Sequence, residues 1–200
     1  MTCENKLSKN FIRNCNYKPK AGLAGTVYCI NTKEIDKALT QLSPSGMTVS
    51  ALILAAGAKL YAAEGAGKYP QGTTSMAQGD NGPNWTHGAT IRLLYYGDAE
   101  REQLKKMVDG GRITLIVEKK DIGLAGELTY DILGFESGME VSTVEWSSAE
   151  NEGVVTITLA SVEGEGESTD RKIFLETGVD PQTDLEATKA FIETNLYVAA

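Results

Sequence analysis

The sequence holds a single histidine, His87, and only three cysteines, Cys3, Cys15 and Cys29, all within its first 29 residues. One histidine excludes the paired-imidazole zinc sites, and it leaves any serine or cysteine triad dependent on one base. The cysteines lack the close C-x2-4-C pair of structural zinc sites. Their odd number, with no export signal, reads as reduced thiols. No run reaches the roughly 18 to 20 apolar residues that cross a bilayer. The longest apolar patch, 49–60, is broken by Ser50, Gly57 and Lys59. No signal-type apolar segment follows the charged N-terminus, so synthesis and folding in the cytoplasm, without a membrane, are expected.

Catalytic signatures are missing as well. There is no G-x-S-x-G, and the glycine-rich stretch 65–72 carries Lys68 without the Gly-Lys-Ser/Thr ending of a phosphate loop. Asp121, Glu163, Glu165, Glu167 and Asp170 do not fit calcium-loop spacing. His87 reads as a loop histidine with local hydrogen bonds rather than as a base. The expectation is a chain without catalytic residues, cofactor or metal: not an enzyme. Positive charge is in deficit too, with 19 Lys+Arg against 27 Asp+Glu and a net charge of −8. That balance disfavours sequence-reading nucleic-acid binders, yet it suits a conduit through which a polyanion must slide without being held.

What is present is a β-rich pattern in 200 residues, 42% of them hydrophobic, enough for one domain with extensions. Residues 1–24 are polar and basic and read as an N-terminal arm, 25–178 as a β domain, and 179–200 as a C-terminal helical extension. Alternation and β-branched content predict strands over 25–30, 48–54, 58–63, 89–96, 112–118, 127–133, 139–146, 154–161 and 173–175. Asn31 and Glu34 fit a capping box and predict a helix over 32–42. Asp98 is the expected cap of a helix over 99–108 that ends at Gly110-Gly111, and Pro181 opens a last helix through Leu196. Strict alternation over 139–146 places Met139, Val141, Thr143 and Glu145 on one face and Glu140, Ser142, Val144 and Trp146 on the other. Segments 139–146 and 154–161 read as a hairpin, and the acidic run 163–170 as a solvated loop.

Residues 64–88 hold six of the 21 glycines and two of the five prolines, with no sustained apolar periodicity. They read as a long loop that is used rather than idle, because aromatic and methionine side chains are enriched at interface cores. Lys68, Tyr69, Met76, Trp85 and His87 are therefore the candidate inter-subunit contacts.

The run WTHGATIRLLYYGD, the helix AEREQLKKMVDGG, the strand RITLIVEKKD, the segment TYDILGFESGMEVSTVEWSS and the closing GVVTITLASVEGEGES resemble the tail tube (major tail) proteins of long-tailed bacteriophages. The resemblance covers residues 69–168. It implies a mainly β, α+β fold, a β-sandwich or rolled sheet with a flanking helix, a long hairpin loop and a C-terminal helix. It also implies a homo-oligomeric ring, commonly a hexamer, stacked into a tube in the virion tail and assembled in the host cytoplasm. Other tail proteins are the implied partners, and DNA is non-specific cargo in the lumen. Within the same setting the alternatives are a tail terminator, a head-tail joining protein or a capsid decoration protein. Outside it, the alternative is a sandwich-type binding module.

Overall fold

The computed structural model describes residues 10–11, 15, 17–65, 69–79, 82–148, 154–177 and 181–198. Strands hold 43% and helices 16% of it, which places the chain in the expected mainly β, α+β class. The strands are β1 (Leu23–Asn31), β2 (Gln41–Leu42), β3 (Thr48–Ala51), β4 (Tyr61–Glu64), β5 (Gln71–Gly79), β6 (Gly82–Leu93), β7 (Ile113–Lys119), β8 (Tyr130–Leu133), β9 (Met139–Trp146), β10 (Val155–Ser161) and β11 (Lys172–Phe174). Two α-helices, α1 (Asp98–Val108) and α2 (Pro181–Asn195), and a 3-10 turn at Thr32–Glu34 complete the described elements.

The ladder runs β2-β3-β11-β8-β7-β9-β10-β6-β5, with β1 also beside β7 and β4 beside β1. β7 is its pivot. Along its length it pairs antiparallel with β1 and β8, but it meets β9 only at Ile113 opposite Met139. That single junction folds the ladder into two layers. One is β4-β1-β7-β8-β11-β3-β2 and the other is β9-β10-β6-β5. Covered on both faces, β7 is buried from Ile113 to Val117 and reads as a continuous apolar run. Its one polar member there, Thr114, donates to the carbonyl of Gly134 at 2.7 Å.

Between the layers, Val27, Leu115, Val117 and Leu133 pack with Ala89, Ile91, Leu159 and Met139. On the far side of the first layer, Ile30, Ile116, Ile132 and Phe174 pack against Ile192 of α2, and the rings of Phe174 and Phe191 meet edge to face at 5.5 Å. Leu104 of α1 covers Val155 and Ile157 at a third site. Each fully buried aliphatic side chain stabilises the fold by roughly 1.5–3 kcal/mol. The C-terminal helix is thus part of the main core rather than an appendage, and Leu60 bridges to Leu196 just beyond it.

Three expectations need correction here. No helix spans 32–42: a single 3-10 turn at Thr32–Glu34 is followed by Ile35 bridging to Leu54, while the Asp36 carboxylate accepts from the amides of Ala38 and Leu39. Local side-chain bonding of this kind competes with helix propagation, and Leu39 and Leu42 stay exposed. Within segment 64–88, residues 71–79 and 82–88 are no loop either, because β5 and β6 pair in continuous register from Gln71 opposite Thr90 to Gly79 opposite Gly82. At α1 the cap is Gly97, whose amide donates to Glu100 Oε2 at 2.9 Å, and Asp98 is the first helical residue. The turn expected between β9 and β10, at 149–153, lies outside the described residues, although the two strands do pair as a hairpin.

Candidate assembly surface

The four-stranded layer β9-β10-β6-β5 carries the features that set this chain apart from a plain sandwich. Directly opposite residues in antiparallel strands share a face, so the registers sort its side chains. Facing the core are His87, Ala89 and Ile91 of β6 and Val155, Ile157 and Leu159 of β10, all buried. Facing outward are Gln71, Thr73 and Ser75 of β5, Thr86, Gly88, Thr90 and Arg92 of β6, Thr156, Thr158 and Ala160 of β10, and Thr143 and Glu145 of β9. None of these outward residues is buried. The face is a field of hydroxyls whose one cation in these strands, Arg92, sits over the Tyr69 ring at 4.7 Å. Gly88 leaves a shallow hollow of about 370 Å³ among Thr73, Thr90, Thr158 and Ala160.

β9 departs from strict alternation. Its register with β10 slips between Thr158 and Leu159, so that Thr143 faces Thr158 while Val141 faces Leu159, with Ser142 as the extra residue. The expected division of faces is corrected accordingly: Met139, Val141, Val144 and Trp146 share the inner side, and Thr143 and Glu145 the outer. Val144 and Trp146 nevertheless remain 43% and 64% exposed.

Both lateral edges of this layer are open. β5 pairs only with β6, and β9 beyond Met139 pairs only with β10, among the described strands. At the far end, β5 and β6 outrun β10, and the projecting hairpin places Met76 opposite Trp85. Met76 is half exposed and Trp85 partly buried.

The hairpin is tied down at Trp85. Trp85 and Glu167 exchange backbone hydrogen bonds of 3.0 and 2.8 Å, while the Glu167 carboxylate accepts from the amides of Glu136 and Ser137 at 2.7 and 2.9 Å. Reciprocally, the Glu136 carboxylate accepts from the amide and hydroxyl of Ser168, both at 2.7 Å. Glu167 is buried, so 163–170 is not the solvated loop expected; only part of the run faces water. Burial pushes the Glu167 carboxyl above its ordinary pKa, against the pull of the Ser137 and Glu136 amides. For Glu136, burial also pushes upward, but the Ser168 and Lys172 contacts prevail and hold it below the ordinary value.

His87 is a buried strand residue rather than a loop residue. Its Nδ1 accepts from the Gly134 amide at 2.9 Å, which puts the ring proton on Nε2, and burial lowers its pKa. It braces the hairpin from inside and presents no surface to a neighbour. Of the other expected contacts, Met76 and Trp85 come together, Tyr69 lies at the opposite end of β5 under Arg92, and Lys68 lies outside the described residues.

On the open side of the sandwich, beneath β5, lies a cleft of about 900 Å³. Leu23, Val117 and Leu133 line it, and Lys20, Lys119, Lys120 and Arg171 contribute positive charge. Within it the buried carboxylate of Asp131 binds Lys119 Nζ at 2.8 Å and Arg171 Nε at 2.6 Å. Asp131 escaped sequence reasoning, and Glu167 and Trp146 were read only as a calcium-loop acid and a strand-face residue. A lone acid inside an apolar strand, the YDIL of β8, was the one local signal that could have flagged Asp131.

Comparison with known proteins finds no counterpart: no family model, curated protein or solved structure matches the chain. No helix among the described residues is long and apolar enough to cross a membrane.

Proposed function

We propose that the protein is a virion structural protein whose copies form rings, stacked into the tail tube of a long-tailed bacteriophage. The observation that carries this is the pair of open edges, β5 and β9, on one four-stranded layer. β9 runs parallel to β6 and antiparallel to β5. With four strands per copy, a β5 edge therefore meets the next copy's β9 edge antiparallel, and the alternation continues unbroken. An edge of this kind is an unsatisfied row of donors and acceptors, and ring closure removes it. Two different edges meeting head to tail generate rings, not two-fold dimers.

The hydroxyl-rich outward face then lines the bore, and strands whose one cation, Arg92, is engaged by the Tyr69 ring and whose Glu145 faces outward do not grip phosphate. The β5–β6 tip, with Met76 and Trp85, reaches the adjacent ring. Purified protein imaged by negative-stain electron microscopy is expected to show rings and filaments; a uniform monomer at high concentration defeats the proposal. Rings that never stack favour a tail terminator or joining protein instead. A soluble monomer that captures a ligand in the cleft beneath β5 favours a binding module.

A further inference from the structure

The cleft beneath β5 has a hydrocarbon floor and a cationic mouth. Leu23, Met47, Val117, Leu128, Leu133 and Ile173 supply the apolar surface, and no aromatic side chain is among the residues that line it. The floor is reached because Gly72 has no side chain: a methyl there would stand 3.3 Å from Leu133 and 3.6 Å from Leu23. With about 900 Å³, an apolar floor and a few polar groups around it, the cleft has the size and make-up of a small-molecule site.

Its charges do not cancel. Lys20, Lys119, Lys120 and Arg171 line it together with three carboxylates, Asp121, Asp131 and Asp170. All three carboxylates are engaged. Asp131 binds Lys119 at 2.8 Å and Arg171 at 2.6 Å, Asp170 binds Arg171 at 3.4 Å, and Asp121 accepts from the Tyr17 hydroxyl. Lys20 and Lys120 are exposed and have no acidic partner among the described residues. A methyl on Gly22 would stand 3.8 Å from Lys120 Nζ, so that ammonium lies over the chain two residues from Lys20. Four cations against three acids leave one positive charge in excess, in a chain of net −8.

The geometry points to a binding site for a single-chain aliphatic carboxylate, a fatty-acid anion, with its hydrocarbon chain over Leu23, Leu133 and Val117 and its head between Lys20 and Lys120. The class follows from the lining. An aliphatic floor without rings suits a flexible chain and offers a flat aromatic ligand nothing to stack on. The guanidinium fork that would grip a phosphate ester is already held, since Arg171 is bound by Asp131 and Asp170. One excess positive charge matches a monoanion. The site is contained in one copy and does not depend on ring assembly.

Isothermal titration calorimetry of the full chain with octanoate, decanoate and dodecanoate, each kept below micelle formation, tests the site. Affinity is expected to rise about fourfold per methylene, the factor that burial of one CH2 provides. Decyltrimethylammonium, with the same length of chain and the opposite charge, is expected not to bind. Lys20→Ala/Lys120→Ala is expected to weaken decanoate about tenfold, while Lys105→Ala/Lys106→Ala, an equal change of net charge on α1, leaves it unchanged. Met47→Glu puts a carboxylate on the floor at a half-exposed position and is expected to abolish binding. Circular dichroism and urea midpoints matching the parent establish that each variant is folded.

Absence of binding or of chain-length dependence overturns the site. So does equal affinity for decyltrimethylammonium, or a folded Lys20→Ala/Lys120→Ala variant that binds decanoate like the parent. Capture of phosphatidylglycerol vesicles without binding of decanoate also overturns it, in favour of a membrane surface. Rings that bind decanoate leave both proposals standing, and rings that do not bind it remove this one alone. A monomer that binds it keeps this site and removes ring assembly.

Discussion

Trp85 and Glu167 hold each other by both backbone hydrogen bonds, 3.0 and 2.8 Å, although 82 positions of chain separate them. Through the Glu167 carboxylate this joins the projecting hairpin to the turn that connects β8 and β9. Glu167→Ala strips two partly buried amides of their acceptor, and since leaving fully buried donors unsatisfied costs about 1–3 kcal/mol, a loss of about 1 kcal/mol is expected. The urea midpoint is expected to fall accordingly, with faster hydrogen exchange at Trp85 and Met76. An unchanged midpoint would mean that water replaces the carboxylate.

His87 gives stability a pH dependence of known sign. Its folded pKa lies below the ordinary 6.5, so the unfolded chain takes up a proton that the native state refuses. Its contribution is complete above pH 6.5 and declines as pH falls through that value toward the folded pKa, by at most about 1.4 kcal/mol per pH unit. Glu167 acts oppositely: its raised folded pKa stabilises the native state at low pH, and this is lost as pH rises through that pKa. Comparing urea midpoints between pH 7.5 and 5.5 in a Glu167→Gln background isolates the histidine. There the fall on acidification is expected to be smaller when His87→Gln is added, and the difference between the two backgrounds reads the histidine.

Asp131 is the buried anchor of Lys119 and Arg171. Removing one member of a buried ion pair typically costs 3–5 kcal/mol, and the partial exposure of Arg171 points to the lower end, about 3 kcal/mol, for Asp131→Ala. Chemical denaturation measures this directly. A loss below about 1 kcal/mol would show that the two cations find water instead.

Gly138 precedes Met139, where the two layers join. Its φ is +79°, and a β-carbon there would lie 2.5 Å from Thr32 Oγ1 and 2.9 Å from Arg112 Cβ. Gly138→Ala is expected to destabilise by about 2–4 kcal/mol, through both conformation and collision. Thermal unfolding is the check.

Met76 and Trp85 form the tip pair of the hairpin. Met76→Glu is expected to leave the urea midpoint within about 0.5 kcal/mol, since the side chain is half exposed, yet to abolish stacking of rings. Trp85→Ala is expected to weaken assembly by about 2 kcal/mol or more. Assembly unaffected by either change would reduce the tip to a structural hairpin.

Much of the fold was legible because it rests on local pattern. ITLIV in β7 and the Val155, Ile157, Leu159 alternation in β10 declare buried faces, while Gly110-Gly111 and Pro181 mark where α1 ends and α2 begins. The failures share one cause. Ile35 and Leu39 have helical spacing, but Ile35 is claimed by Leu54 across the sheet. Residues 71–79 have the composition of a loop, but they pair with β6 along their whole length. In both, partners distant in sequence outweighed local propensity. Of the candidate residues, the structure sets Met76 opposite Trp85 at the hairpin tip, Met76 half exposed and Trp85 partly buried. His87 was misplaced because its burial depends on Gly134, 47 positions away.

Composition and periodicity alone settled the class of fold, the order of most strands and the acidic balance of the surface, since each depends on which residue types follow one another. Tertiary structure decided which edges stay open, that a bulge turns Val144 and Trp146 to the inner side, and that Glu167 and Asp131 are buried. Those outcomes depend on register and on contacts between distant segments. A one-residue slip in pairing exchanges the two faces of a strand, and no local sequence pattern records such a slip.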